Sequence, residues 1–184
     1  MSVAGLLLAA GAGRRMGMPK ALVRDDTGEP WVARGVSTLR AGGCDAVTVV
    51  LGAAAAEAAP LLEGSGATYV VADDWADGMG ASLRAGLSSL GPHVECAVVS
   101  LVDLPDVGPP VVRRLRGLGA GPASLARAAY DGVPGHPVLL GREHWDGVMA
   151  TATGDRGARD YLASRDVTMV ECGDLATGHD VDTR

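Results

Sequence analysis

Phenylalanine is absent from this chain, and aromatic residues make up only 3% of its 184 positions. Apolar residues reach 47%, so a core packed from Val, Leu and Met with few aromatics is expected. Cysteine is scarce as well. Cys44, Cys96 and Cys172 lie far apart and form no CxxC pair, and their odd number and scatter favour free thiols in a reducing compartment over a disulfide framework or a zinc site. No run of 18 apolar residues occurs, so no transmembrane helix is expected. The apolar N-terminal stretch lacks the preceding basic region of a signal peptide, because its cations come after it. Basic excess is missing too: the net charge of −6 argues against nucleic-acid binding, which needs a basic surface. A cytoplasmic protein with neither a nucleic-acid nor a membrane partner is the expectation. Repeats, low-complexity tracts and linkers are lacking, and residues 1–184 read as one domain, large enough to bury a substantial core.

What is present begins at the N-terminus. The apolar strand Val3–Leu8 runs into Ala9-Ala10-Gly11-Ala12-Gly13, and Arg14, Arg15 and Lys20 follow at once. Glycines allow positive φ and close backbone approach, and a turn of this kind aims several N–H groups into one concavity that suits an anion. Two common phosphate loops are excluded by counting. Gly17 is followed by Met18 and Pro19 rather than by Lys and Ser or Thr, and the third glycine of a dinucleotide fingerprint would fall on Met16. Local positive charge in an acidic protein then points to a small anionic ligand.

Apolar runs of strand length alternate with helix-compatible stretches. Strands are predicted at Val3–Leu8, Ala46–Leu51, 67–71 and Cys96–Leu101, and helices at 30–41, 53–62, 80–90 and 109–118. Such alternation argues for a mostly parallel sheet covered on both faces, a three-layer Rossmann-like α/β fold. The second half changes character: strands at 124–130 and 137–140 around a turn at Asp131-Gly132 suggest an antiparallel excursion. A helix at 157–164 and a last strand at 168–170 complete the pattern.

Ligands of an open parallel sheet bind beyond the carboxyl ends of its strands. Asp103, in Val102-Asp103-Leu104-Pro105, sits at such an end. On chemistry alone it is equally a magnesium ligand or a turn aspartate before Pro, and the phosphate loop tips it toward metal, because a triphosphate needs its charge neutralised. Asp180 and Asp182 alternate along an extended segment and share a face, unless that segment is a solvated tail. Residues 73–84 read as a loop entering a helix in which Ser82 either caps the start or faces a ligand. His136 in a turn is as readily structural as functional, and Arg156 beside Asp155 as readily solvated as bound to an anion. Trp31 and Trp145 are assigned to the core.

The segment L-A-A-G-x-G-x-R-M-G-x-P-K, from Leu8 to Lys20, resembles the signature of the MobA-like nucleotidyltransferases, in particular the molybdenum cofactor cytidylyltransferases. Further parallels are Val102–Pro105 with the family's D-x-P, His179–Thr183 with D-x-D-T-P, Gly78-Met79-Gly80-Ala81-Ser82 with G-M-S-x-S, and Gly135-His136-Pro137 paired with Gly154–Arg159. Gly80 stands where the family has serine, and Arg184 where it has proline. The resemblance implies a nucleotide-diphospho-sugar transferase fold and transfer of a nucleoside monophosphate to a phosphorylated acceptor. By the same implication, Leu8, Ala9, Ala10, Gly11, Ala12 and Gly13 carry the triphosphate, and Gly78, Met79 and Ser82 the base and ribose. Arg15, Lys20 and Asp103 are the catalytic set, Asp103 and Asp180 hold Mg2+, and His136, Asp155 and Arg156 meet the acceptor. Ala10 in place of a second glycine suggests CTP, and the acceptor implied is molybdopterin carrying molybdenum, with room for a molybdoenzyme or chaperone partner. Other outcomes are transfer to a sugar phosphate or to another small phosphorylated metabolite, or a non-catalytic nucleotide-binding or cofactor-carrying partner. An NAD-type oxidoreductase is disfavoured by the failed dinucleotide fingerprint.

Overall fold

A computed structural model describes residues 2–182. Seven strands form one sheet in the order β3-β2-β1-β4-β6-β5-β7. The parallel half comprises β1 (Val3–Leu8), β2 (Ala46–Leu51), β3 (Thr68–Val71) and β4 (Cys96–Leu101). Next to it, β6 (Val133–Gly141) runs antiparallel between β4 and β5 (Leu125–Tyr130), and β7 (Thr168–Glu171) closes the far edge parallel to β5. This is the expected mostly parallel sheet with an antiparallel excursion.

Helices cover both faces. Along β1 and the two residues after it, Val3, Leu7 and Ala9 point into one core while Ala4, Leu6, Leu8 and Ala10 point into the other, the period-2 alternation of a strand buried on both sides. Helices α1 (Trp31–Ala41) and α4 (Pro109–Arg116) supply Val36, Leu39, Val112 and Leu115 to the first core. Helix α3 (Met79–Ser89), with α5 (Trp145–Thr151) and α6 (Arg159–Ala163), supplies Leu83, Leu87, Trp145 and Leu162 to the second. Trp31 and Trp145 are buried as assigned. With no phenylalanine to fill space, the layers approach closely instead. A Cβ on Gly35 would lie 2.7 Å from Leu7, and one on Gly86 would lie 2.8 Å from Leu6. No helix among the described residues is long and apolar enough to cross a membrane.

Three elements differ from the sequence expectation. The stretch 53–62 is not one helix: α2 covers only Ala55–Ala58, and a 3-10 turn follows at Ala59–Leu62, because Pro60 has no N–H to continue the ladder. Strand β6 begins at Val133, not at residue 137. Gly135-His136-Pro137 looks like a turn locally, and it forms an irregular middle of the strand, between Pro134 paired to Ala129 and Val138 paired to Arg127 and Val99. Helix α5 was not expected at all. Seven residues with a central Gly147 give little helical signal, and burial of Trp145 and Val148 against the sheet holds it instead.

Candidate active site

The C-terminal ends of β1 and β4 lie side by side, with Leu8 paired to Leu101, so the glycine loop and Asp103 emerge together. The loop's turn depends on Gly13 at φ +59°, where a Cβ would lie 1.9 Å from the Met18 carbonyl oxygen. No L side chain fits there, and the backbone folds back to deliver Lys20 at the start of a 3-10 turn, Lys20–Leu22.

Lys20 is the hub of the site. Its Nζ donates to Asp103 Oδ2 and to Asp182 Oδ1, each at 2.5 Å, and Arg15 Nη1 donates to Asp182 Oδ2 at 3.0 Å. Burial pulls the Lys20 ammonium toward neutrality, but its hydrogen bonds and attraction to the two carboxylates outweigh this and raise its pKa. The same bond holds the Asp182 carboxyl below the usual carboxylate range.

Asp103, Asp180 and Asp182 each offer a carboxylate oxygen, all within 4.8 Å of one another. Asp103 Oδ1 is buried and has no hydrogen-bond partner among the described residues, although buried polar atoms are nearly always satisfied. An orphaned carboxylate oxygen inside a triad of carboxylates is the donor set of a hard divalent cation, so these residues fit such an ion. Asp182, the weaker metal candidate by sequence, pairs with Lys20 and Arg15, while Asp180 is exposed and faces a second cavity.

The segment carrying these aspartates is no free tail over residues 172–182. Val181 N donates to the Asp103 carbonyl at 3.0 Å, and Thr177 donates through both N and Oγ1 to Asp106 Oδ2 at 2.6 Å. Arg114 grips Asp174 through both Nη atoms. Thr183 of the resemblance and the substituted Arg184 lie outside the described residues.

Two cavities meet at this point. The first, about 390 Å³, is lined by residues 8–13, Arg15, Lys20, Gly78, Met79, Ser82 and Asp103, with Asp155 and Asp182. Every residue expected to hold the nucleotide therefore faces one space. The second, about 340 Å³, takes in His136, Asp155, Arg156 and Asp180, and shares Leu8, Met79, Leu101 and Asp155 with the first. The carboxylate triad stands at the junction.

Ser82 does not cap α3: it lies a full turn inside, buried, and the residue before the helix is Gly78 at φ +103°. The substitution at Gly80 has a packing reason. A Cβ there would lie 2.7 Å from the Ala152 backbone, because the end of α5 and the 3-10 turn Gly154–Arg156 rest on the start of α3. A serine would push that turn, and Asp155 and Arg156 with it, out of the site.

His136 is half-buried, and its carbonyl accepts from the Tyr130 hydroxyl at 2.6 Å. Burial, reinforced by the nearby Arg127 cation, pushes its pKa down to about 4, so the ring is neutral near pH 7. A histidine whose folded pKa is depressed stabilises the fold fully above its unfolded pKa of 6.5, and that contribution is lost as pH falls toward 4. Wild-type stability is expected to decline between about pH 6.5 and 5 by up to roughly 2 kcal/mol more than that of His136→Gln. Denaturant titrations at both pH values measure the difference, and parallel declines would refute the burial of a neutral ring.

Asp106, Tyr130 and Arg127 were missed by sequence reasoning. Asp106 directly follows the D-L-P segment and could have been flagged there. Tyr130 and Arg127 carry no local signal, because their roles arise only when β5 pairs with β6.

A family profile described as "MobA-like NTP transferase domain" matches residues 5–169. The chain is 36% identical over 192 residues to nicotine blue oxidoreductase of Paenarthrobacter nicotinovorans, covering 98% of this chain and 92% of that protein. The crystal structure of Rv0371c from Mycobacterium tuberculosis H37Rv superposes with a TM-score of 0.83 at 28% identity, covering 100% of this chain and 94% of that one. A structure of Rv0371c in complex with manganese superposes at 0.79, with 27% identity over 98% and 94% of the two chains.

Proposed function

The chain belongs to the MobA-like NTP transferase family, and on that premise we propose that it transfers CMP from CTP to the phosphate of molybdenum cofactor, releasing pyrophosphate. The observation that carries this reading is the Lys20–Asp103–Asp182 cluster at the junction of a glycine-loop cavity and a second cavity lined by arginines. A donor in the first space and an acceptor in the second would meet at the cluster. The choice of CTP rests on Ala10, and the choice of acceptor on the sequence signature. The domain spanning residues 1–184 would act as one unit, handing its product to a molybdoenzyme or a chaperone.

In this reading an acceptor phosphate oxygen attacks the α-phosphorus in line, the bond from that phosphorus to the bridging oxygen breaks, and pyrophosphate leaves. N–H groups of residues 10–13 cradle the triphosphate, and Arg15 holds its β- and γ-phosphates. Lys20 places a full positive charge beside the α-phosphorus, where negative charge grows in the transition state. A divalent cation, Mg2+ in our reading, would be held by Asp103 and Asp180 and would neutralise phosphate charge between donor and acceptor. Rv0371c, similar to this chain at 27% identity, forms a complex with manganese, which supports use of a divalent ion. Ser82, Gly78 and Met79 orient the nucleoside, and His136, Asp155 and Arg156 line the acceptor's approach.

A thermal-shift panel of the four triphosphates with magnesium tests the reading. At 100 times its dissociation constant a ligand stabilises the fold by about 2.7 kcal/mol. The expected result is metal-dependent stabilisation by CTP above GTP, ATP and UTP, followed by cofactor-dependent pyrophosphate release. Preference for another triphosphate would discard CTP and keep the transferase.

The 36% identity to a protein named nicotine blue oxidoreductase favours a second reading, a redox enzyme built on the same domain. NADH and NADPH belong in the same panel. Stabilisation by a nicotinamide cofactor with none by any triphosphate would replace the transferase with the oxidoreductase.

A further inference from the structure

The second cavity holds more positive charge than the proposed chemistry uses. Arg127 stands in the middle of β5, an interior strand otherwise built here of Leu, Ala and Tyr. Its half-buried guanidinium donates to the Gly135 carbonyl, from Nε at 3.3 Å and Nη2 at 3.2 Å. Among the described residues neither Arg127 nor Arg159 forms an ion pair with a carboxylate. Both line the cavity. The neighbours offer no relief. His136 is uncharged, Arg156 pairs with Asp160 at 2.8 Å, and Asp180 belongs to the carboxylate triad. The wall also carries Asp155, which among the described residues forms an ion pair with neither arginine, and is otherwise largely apolar, with Leu83, Val138, Leu140 and Leu162.

Two guanidiniums lining one cavity without a paired carboxylate, one of them half-buried, are stabilised by an anion that enters it. The fork of each matches a carboxylate or a phosphate. We infer that Arg127, with Arg159 beside it, binds a second anionic group of the acceptor. The acceptor class is then a doubly anionic metabolite: one phosphate at the carboxylate triad, a second anionic group on the arginines, and a body between them that packs along the leucine wall. Only the role of the first phosphate rests on the transferase reading; the anion pocket stands on the arginines alone. A purely structural Arg127, bracing Gly135, would stabilise the hairpin without discriminating between ligands.

Phenyl phosphate and 4-carboxyphenyl phosphate share a ring and differ by one anionic group, and calorimetric titration with magnesium present compares them. The wild type is expected to bind the doubly anionic compound at least ~10-fold more tightly, the size of one charge-assisted hydrogen bond. Arg127→Gln and Arg159→Gln should each reduce that preference to less than ~3-fold while leaving triphosphate stabilisation unchanged. Equal binding of the two compounds by the wild type, or a preference retained in both variants, overturns the inference. Should Arg127→Gln fail to fold, the exposed Arg159→Gln decides alone. If triphosphates fail to bind but the preference holds, the transferase reading falls and the anion pocket stands.

Discussion

Asp103→Asn is expected to lower turnover at least ~100-fold, a loss of ~2.7 kcal/mol of transition-state stabilisation, with little loss of fold stability. The substitution keeps the volume at the end of β4 and retains an oxygen that can accept from Lys20. What it removes is the charge shared by the unpartnered Oδ1 and the Oδ2 bound to Lys20. Affinity for Mn2+, followed by calorimetry or by the electron-spin signal of free manganese, should fall in parallel. Near-normal turnover, or unchanged manganese binding, would remove Asp103 from the site's chemistry and return it to the role of a turn aspartate before Pro105.

Lys20→Met separates two roles that the structure superimposes. The ammonium sits between Asp103 and Asp182, whose side chains are 14% and 39% exposed, so it competes with any cation for their oxygens. Without it, binding of Mn2+ alone should tighten. Turnover should nevertheless fall at least ~100-fold, because no fixed charge remains beside the α-phosphorus. Opposite movements of metal affinity and rate distinguish an electrostatic catalyst from a mere counter-ion for two carboxylates. Weaker metal binding or an unchanged rate would each contradict the assignment. The fold should also lose roughly 1 to 3 kcal/mol, less than for a fully buried pair, because water reaches Asp182. The pH limits follow from the shifts. Lys20 has a raised pKa, so its contribution is complete below 10.5 and is lost as pH rises through the folded value. Asp182 has a lowered pKa, so its contribution is complete above 3.8 and is lost as pH falls through the folded value. The Lys20–Asp182 pair is therefore intact between those limits, and its pairing is not what changes near neutral pH.

Nucleotide site and acceptor site differ in how they are built. The donor cavity is made largely by one contiguous stretch, residues 8–20, in which strand end, glycine turn and cation follow each other along the chain. Such a motif is legible because its geometry is local: Gly13 has its positive φ wherever the loop is placed. The acceptor cavity is assembled from β5, β6, α6 and residues 178–180, which are distant in sequence. His136 and Arg156 could be assigned there only through resemblance, and Arg127 could not be assigned at all.

The sequence by itself determined the alternation of buried strands and helices, the glycine-rich phosphate loop and the position of Asp103 at a strand end, because strand burial, turn chemistry and strand-end position follow from neighbours a few residues away. Tertiary structure alone decided the rest. Pairing of β6 between β4 and β5 drew Val133–Pro137 into a strand, and packing of Trp145 and Val148 made α5 a helix where propensity was silent. Contact between Gly80 and Ala152 excluded the serine that local similarity called for. Hydrogen bonds from Thr177 and Val181 to the loop after β4 turned an apparent tail into the carrier of two aspartates. These outcomes depend on tertiary contacts, some between segments as distant as Thr177 and Asp106, 71 residues apart, whose energies no local pattern of residues records.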